Sequence, residues 1–257
     1  MSPAARLRGV AAGLAAGVAG GMFGVGGGVI LVPMLTALGL SQHEAHGTSL
    51  AILAATALPG LIVYALHGQV EWLTAGLVAL ASMITAPLGA RQATRLSGPA
   101  LRSAFAAFLV LVALRLLWKV PAIAPHPGLS GWPGALFDLG VGAAIGLLAG
   151  FMGVGGGILA VPAFALGLGM PQHLAQGTSL AVILVTGPAG AIEHARHGNV
   201  VGRVIPPLAI GAAIGAPLAS WLANSLRNDL LVRLFAVFLL ANAVHAWART
   251  RPRPTPS

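Results

Sequence analysis

The chain has 257 residues, of which 57% are hydrophobic and only 7% are charged. A water-soluble domain carries about a quarter charged residues, so this composition excludes an ordinary soluble protein. The net charge is +9, but the fourteen basic residues are scattered near the ends of apolar segments and form no basic stripe, which argues against a nucleic-acid partner. The absence of cysteine excludes disulfides and thiolate chemistry. We therefore expect an integral membrane protein in contact with the lipid bilayer.

Apolar segments follow one another along the whole chain. Lengths near about 20 residues suit transmembrane helices, and the lack of period-two alternation argues against a membrane β-barrel. The predicted fold class is an all-α polytopic membrane protein with about eight hydrophobic segments. They cover residues 9–40, 47–66, 72–90, 101–118, 136–169, 177–195, 201–223 and 230–248.

Two parts of the chain carry nearly the same sequence. GMFGVGGGVILVP begins at Gly21 and GFMGVGGGILAVP begins at Gly150; HGTSLAIL then follows from His46 and QGTSLAVI from Gln176. The offset is 129 residues for the glycine runs and 130 for the later block, and a nearly constant offset is typical of internal duplication. The sequence predicts two homologous repeats of four segments each, at 1–120 and 135–248. A linker rich in proline and glycine joins them at 121–134, and a polar tail follows at 249–257.

The first and fifth segments are interrupted by their glycine runs. Residues 9–40 would form a helix of about 48 Å, which exceeds a hydrocarbon core of about 30 Å. Each segment is therefore either a broken, tilted span or a hairpin that re-enters the membrane, and the two cases imply parallel and inverted repeats respectively. Basic residues favour the side of the termini in both cases, by 9 to 5 or by 10 to 4. We expect both termini in the cytoplasm.

The glycine runs are the first candidate for substrate binding. A helix that restarts after such a break presents unpaired N–H groups and a partial positive charge, which together bind anions without a basic side chain. The alternative is close helix packing, which explains a separate set spaced by four: Gly13, Gly17 and Gly21, and Gly142, Gly146 and Gly150. The predicted binding glycines are Gly26, Gly27, Gly28, Gly155, Gly156 and Gly157.

Hydroxyl side chains open the second and sixth segments. Thr48, Ser49, Thr178 and Ser179 could donate hydrogen bonds to an anion without bringing charge into the membrane, or they could cap their helices. Glu193 has Arg196 three residues later, which predicts a local ion pair. No catalytic residue, metal ligand or cofactor is predicted.

The paired GxGGG-x4-P runs and the GTS-led helices resemble the TauE/SafE family, also called the sulfite exporter family. The resemblance extends over residues 9–248. It implies a multi-pass protein of the inner membrane that moves a small anion such as sulfite, sulfoacetate or a related sulfonate. Export is slightly favoured, because one negative charge that leaves an inside-negative cell gains about 2.3 kcal/mol per 100 mV. The oligomeric state stays open.

Two other functions are compatible with parts of the sequence. Ser49 and Ser179 stand in G-x-S-x-A, which is close to the nucleophile elbow of an intramembrane serine hydrolase. A hydrolase needs one base beside one nucleophile, however, and a serine duplicated in both halves does not suit that requirement. The other alternative is a membrane assembly subunit that transports nothing. Substrate flux in liposomes distinguishes these functions.

Overall fold

The computed structural model describes residues 3–93, 98–118, 131–152 and 156–248, and these residues form helices and no strand. The tail at 249–257, most of the predicted linker and Gly155 lie outside the described residues. The α-helices are α1 Pro3–Phe23, α2 Gly28–Ala37, α3 Gln42–Leu66, α4 Trp72–Ala93, α5 Gly98–Trp118, α6 Trp132–Met152, α7 Gly157–Pro162, α8 Gln172–Arg196, α9 Ile205–Ser225 and α10 Asn228–Ala248.

Six of these helices are long and apolar enough to cross a membrane within the described residues: α3, α4, α6, α8, α9 with the short turn before it, and α10. The all-α membrane fold is thus confirmed, with six candidate spans where the sequence predicted about eight segments. The first hydrophobic segment is divided into α1 and α2, and the fifth into α6 and α7.

The first segment breaks at its glycine run. Helix α1 ends at Phe23 and α2 begins at Gly28. Between them the backbone takes positive φ angles of 67° at Gly24, 74° at Gly26 and 79° at Gly27. Only glycine adopts this left-handed region without steric cost. The glycines are therefore required by the local conformation of the turn.

The turn sends α2 back along α1. A Cβ atom added at Gly27 would lie 2.5 Å from the carbonyl oxygen of Ala16. Leu31 and Leu35 of α2 belong to one buried cluster with Ala12 and Ala16 of α1. The segment is consequently a helical hairpin that returns toward the side where α1 begins, and the single tilted span is excluded.

The fifth segment meets the first at its break. Helix α6 ends at Met152, and α7 runs over Gly157–Pro162 and continues as one π-helical turn over Ala163–Gly167. A Cβ atom added at Gly157 would lie 2.7 Å from the carbonyl oxygen of Val25. The start of α7 therefore touches the turn of the first hairpin.

Helices α3 and α8 pack against each other in opposite directions. A Cβ atom at Gly47, near the start of α3, would lie 2.8 Å from Cβ of His194 near the end of α8. The reverse contact joins Gly177, near the start of α8, and Cβ of Tyr64 near the end of α3, at 2.9 Å. The two central helices are therefore antiparallel.

The glycine turn of the first hairpin lies at the middle of this helix pair. A Cβ atom at Gly26 would be 3.1 Å from both Leu53 Cδ2 of α3 and Ile183 Cγ2 of α8. Each of these two residues is about halfway along its helix. The turn therefore lies halfway along two helices that are long and apolar enough to cross a membrane.

Small residues let the outer helices approach closely. Helix α1 packs on α9, and α6 packs on α4. Cβ atoms at Gly13, Gly17 and Gly21 would collide with carbonyl oxygens of α9, and those at Gly142 and Gly146 with the backbone of α4. The prediction that these glycines serve helix packing is confirmed at these five of the six positions. The surroundings of the sixth, Gly150, lie outside the part of the chain that the structure describes.

We expect Gly17→Ala to reduce the folded yield. The added methyl would lie 2.5 Å from the carbonyl oxygen of Ala212, and overpacking of this kind costs about 1–3 kcal/mol. Gly76→Ala is the matched control, because Gly76 is also helical but has no atom within 4 Å of its Cβ position. Detergent-extracted protein would be compared by size-exclusion chromatography; equal monodisperse yields for the two variants would contradict the packing assignment.

Candidate functional site

The turn of the first hairpin and the start of α7 meet between the middles of α3 and α8, and we call this region the hairpin junction. It consists of Gly24–Gly28 and Gly156–Gly157, with Ser49 of α3 and Ser179 of α8 beside them. All of these residues are buried except Gly156, which is partly buried. The junction therefore brings together most of the glycines and both serines that the sequence predicted to bind substrate.

The N-terminus of α2 supplies backbone donors to this junction. Its N-cap is Gly27, and no side chain caps it. The Gly27 carbonyl accepts from the amides of Ile30 and Leu31 at 3.1 and 3.0 Å. The N–H groups of Gly28 and Val29 belong to the first turn, where a helix has no carbonyl of its own to offer them. Such an end carries a partial positive charge.

Ser49 faces the first turn of α2. A Cβ atom at Gly28 would lie 3.4 Å from Ser49 Oγ and 3.5 Å from Leu53 Cδ2. Ser49 is only 2% exposed. Its hydroxyl is therefore a neutral polar group held beside the uncapped helix end.

Ser179 holds the turn of the first hairpin. Its Oγ donates a hydrogen bond to the carbonyl oxygen of Gly24 at 2.7 Å, and the side chain is fully buried. This bond joins α8 to the other half of the chain, and it gives a backbone carbonyl in the apolar interior the partner it needs.

Thr48 and Thr178 lie one residue before these serines but serve different contacts. Thr48 Oγ1 accepts from the amide of Val201 at 2.9 Å, in the connection after α8. Thr178 Oγ1 accepts from the amide of Glu71 at 3.0 Å, in the connection after α3. The structure places both threonines at connections between helices and outside the hairpin junction.

The glycine of each Gly-Thr-Ser triplet makes room for the same connections. Cβ atoms at Gly47 and Gly177 would collide with the carbonyl oxygens of Asn199 and Gln69 respectively. The three residues of each triplet therefore make different contacts. The glycine leaves space for the connection, the threonine accepts a hydrogen bond from it, and the serine lies against the first hairpin.

The glycines of the junction differ in how much space surrounds them. Gly27 packs on Ala16, and a Cβ atom at Gly157 would lie 2.5 Å from Ile183 Cδ1. At Gly156, by contrast, the nearest atom would be Ile145 Cγ2 at 3.7 Å. Packing therefore accounts for Gly27 and Gly157, whereas a Cβ atom at Gly28 or Gly156 would make only ordinary van der Waals contacts.

Tyr64 and Gln176 lie next to the hairpin junction, near the end of α3 and the start of α8, and the sequence did not single them out. The Tyr64 hydroxyl lies 2.8 Å from Gln176 Oε1 and 3.1 Å from the carbonyl oxygen of Gly21. Gln176 also packs its Cβ against Gly24 and has a buried Nε2 without a hydrogen-bond partner. The sequence offered one indication of Tyr64, which is the single tyrosine of the chain.

Thr56 adds a second buried polar atom near the turn. Its Oγ1 has no hydrogen-bond partner, and the side chain is fully buried. Its methyl lies 2.5 Å from the Cβ position of Gly20, and that position is 2.7 Å from the amide nitrogen of Gly27. An unpaired hydroxyl in the interior costs free energy unless a ligand or water satisfies it.

The ion pair predicted for Glu193 is confirmed. Arg196 Nη1 donates to Glu193 Oε2 at 3.3 Å, and both side chains are mostly exposed. A pair at the surface contributes little stability. Glu193 therefore lies outside the hairpin junction.

We expect Thr48→Val and Thr178→Val to lower stability by about 1–3 kcal/mol each, because each leaves a backbone amide of a connection without its acceptor. Thr48→Ser should restore the acceptor. Thr186→Val is the control, since that hydroxyl bonds to the Val182 carbonyl within its own helix. Thermal unfolding in detergent measures the effect. An unchanged midpoint with weaker substrate affinity would instead favour the substrate contact expected from the sequence.

Comparison with known proteins agrees with this architecture. A family model described as Sulfite exporter TauE/SafE matches residues 9–246. A probable membrane transporter protein of Xylella fastidiosa (strain 9a5c) is 30% identical over 237 residues, which cover 88% of this chain and 90% of the relative. The probable membrane transporter protein YunE of Bacillus subtilis (strain 168) is 28% identical over 214 residues, with coverage of 74% and 78%.

No solved structure matches the chain significantly. The family match nevertheless extends over almost the whole chain, and the relatives are membrane transporters rather than enzymes. Together with six apolar helices of membrane-spanning length, these matches show that the chain belongs to the sulfite exporter TauE/SafE family of multi-pass membrane transporters.

Proposed function

We propose that the protein is a secondary transporter of the inner membrane that carries a small organosulfur or organic anion, such as sulfite or a sulfonate. The observation that carries the proposal is the uncapped N-terminus of α2, halfway along α3 and α8 and next to the start of α7. Broken helices that meet in the middle of the membrane are the usual substrate sites of secondary transporters.

The proposed architecture is a pair of inverted repeats, residues 1–120 and 135–248. Three arrangements support it. Helices α3 and α8 are antiparallel, and the packing of α1 on α9 corresponds to that of α6 on α4. The first segment of each repeat is also divided into two helices. With the first element of each repeat re-entrant, ten of the fourteen basic residues fall on the side of both termini. That bias favours cytoplasmic termini.

Anion preference follows from the kinds of groups at the hairpin junction. The donors are amides of Gly28 and Val29 and the hydroxyl of Ser49, with Gly26, Gly27 and the backbone of Gly155, Gly156 and Gly157 as the further proposed contacts. Thr48, Thr178 and Ser179 contribute to this site by holding the elements that form it. No carboxylate stands among these residues to neutralise a cation, so the local potential favours negative charge.

Liposomes that contain the purified protein should take up or release anions from a panel of sulfite, sulfate, sulfoacetate and simple carboxylates. In the export direction, an inside-negative potential should accelerate efflux of a net-charged anion, by up to about 2.3 kcal/mol per charge and 100 mV. Radiolabelled flux with and without a potassium-valinomycin potential measures this. Flux of cations or neutral solutes with no anion flux across the panel would refute the proposal.

We expect Gly28→Ala to abolish most transport without harming the fold. Its methyl would make ordinary contacts, 3.4 Å from Ser49 Oγ and 3.5 Å from Leu53 Cδ2, yet it would occupy the space at the uncapped helix end. Losing a charge-assisted contact costs about 1.5–3 kcal/mol, or about tenfold or more in apparent affinity. Gly27→Leu is not a suitable test, because Gly27 needs its positive φ and its contact with Ala16.

Gly76→Ala is again the matched control for Gly28→Ala, because Gly76 has empty space around its Cβ position. Both variants should elute as monodisperse protein. Anion flux that survives unchanged in Gly28→Ala would remove the α2 N-terminus from the proposed substrate site.

A further inference from the structure

Helices α3 and α8 touch at two ends, and the side chains at these ends differ in chemistry. We call the pair Tyr64 and Gln176 the tyrosine junction, and the pair His46 and His194 the histidine junction. Each residue of one junction stands 130 positions from its counterpart in the other, Tyr64 from His194 and His46 from Gln176. The backbone contacts at the two ends are also matched, because Gly177 packs on Tyr64 Cβ as Gly47 packs on His194 Cβ.

The tyrosine junction does not change charge near neutral pH. The Tyr64 hydroxyl and Gln176 Oε1 are 2.8 Å apart, and the hydroxyl also reaches the carbonyl oxygen of Gly21 at 3.1 Å. Both side chains are fully buried. A phenol and an amide make this neutral bond at any physiological pH. The tyrosine junction is therefore a fixed connection between α8, α3 and the end of α1.

The histidine junction replaces that bond with two imidazoles. His194 Nδ1 is buried and has no hydrogen-bond partner. Nε2 of His46 lies 2.9 Å from Nε2 of Gln42, one turn earlier on α3. Both histidines are partly buried, so neither faces open solvent and neither is sealed from it. This junction can bind a proton that the tyrosine junction cannot.

Three other histidines in the described residues have backbone partners. Nδ1 of His67 and of His197 lies 2.8 Å from the carbonyl oxygens of Val63 and Glu193. His173 Nε2 lies 3.1 Å from the carbonyl oxygen of Ala223. These side chains close helix ends or bridge helices. His46 is instead paired with a side chain, Gln42, and the buried Nδ1 of His194 has no hydrogen-bond partner, which leaves that nitrogen available for proton exchange.

We propose that His46 and His194 form a proton-binding site that couples proton movement to anion transport. The proposal rests on the proposed function and adds the coupling ion to it. A proton from water binds an imidazole nitrogen of the pair and is released to water again after the anion has moved. No bond other than N–H forms or breaks. Histidine is the side chain that changes charge between about pH 5 and 8, and a proton that travels with the anion lowers by one the net negative charge that crosses the membrane.

The charged and titratable groups around the pair come from both helices. His43 acts electrostatically on His46 and on His194, and His194 acts on His46. From α8 and its end, Glu193 and His197 act on His194. Two imidazolium ions in close proximity repel each other, so we expect the histidine junction to bind one proton and to exclude the second.

The tyrosine junction supplies the design of the test. The double variant His46→Gln with His194→Tyr copies the residues of the tyrosine junction onto the histidine junction, which removes both imidazoles but keeps side chains that this helix pair already accommodates. His67→Gln is the matched control, because His67 is exposed at the other end of α3. The probe is sulfoacetate, whose charge does not change over the pH range used, unlike that of sulfite.

Initial sulfoacetate flux is measured in liposomes with a trapped pH indicator. For the native chain and His67→Gln we expect proton movement with the anion and at least a fivefold difference, on the order of one titrating proton, between about pH 6 and about pH 8. The double variant should still move the anion, at rates that differ by no more than about twofold between the two pH values. It should move no protons with the anion. An unchanged pH ratio or unchanged proton movement in the double variant overturns the proposal.

A second measurement is independent of transport. Imidazole NMR of the purified protein follows the titration of His46 in the native chain and in the single variant His194→Tyr. A changed midpoint for His46 supports a shared proton site, and an unchanged midpoint refutes it. If none of the panel anions moves in any protein, the proposed function fails while this titration still decides the proton site.

Discussion

A backbone turn buried at the middle of a membrane protein must find hydrogen-bond partners within the protein, because hydrocarbon offers none. The turn at Gly24–Gly27 meets this requirement through side chains of other helices. Ser179 donates to the carbonyl oxygen of Gly24, and Tyr64 and Ser220 lie within hydrogen-bonding distance of the carbonyl oxygen of Gly21. Helices α3, α8 and α9 bring these donors to the turn and to the end of α1 that precedes it. Without these helices, the carbonyl groups would lack partners in an apolar interior.

Glycine serves two distinct purposes in this fold. At Gly24, Gly26 and Gly27 the backbone has positive φ angles, so glycine is needed for the conformation itself. At Gly13 and Gly17 the backbone is ordinary helix, and glycine is needed because another helix passes at the Cβ position. The first use creates a helix N-terminus inside the membrane, and the second holds that hairpin against α9. Together they place the uncapped N-terminus of α2 in the interior of the protein.

Polar side chains in the interior are few and each one has a definite position. The hydroxyls of Thr48 and Thr178 tie the central helices to connections from the other half, and Ser49 and Ser179 both lie against the first hairpin. Neutral groups suit this location because burying them costs less than burying charge. The histidine junction is the exception, and its capacity to change charge is the reason it is a candidate for energy coupling.

The sequence by itself determined the membrane class, the helical fold, the breaks in the first and fifth segments and the family. These follow from composition, segment length and glycine runs, which are local properties. It also separated the packing glycines from those of the turn, because spacing by four marks one helix face. It could not decide between a tilted span and a hairpin, since both have the same local pattern.

Only the tertiary structure decided that choice, through the contact of Gly27 with Ala16 and the antiparallel course of α3 and α8. It also distinguished Thr48 from Ser49, which are adjacent in the chain but face a connection and a hairpin respectively. Tyr64 and Gln176 were found only from their contact, because they are 112 residues apart in sequence. Which partner a polar side chain meets depends on helices that are distant along the chain, and no local pattern carries that information.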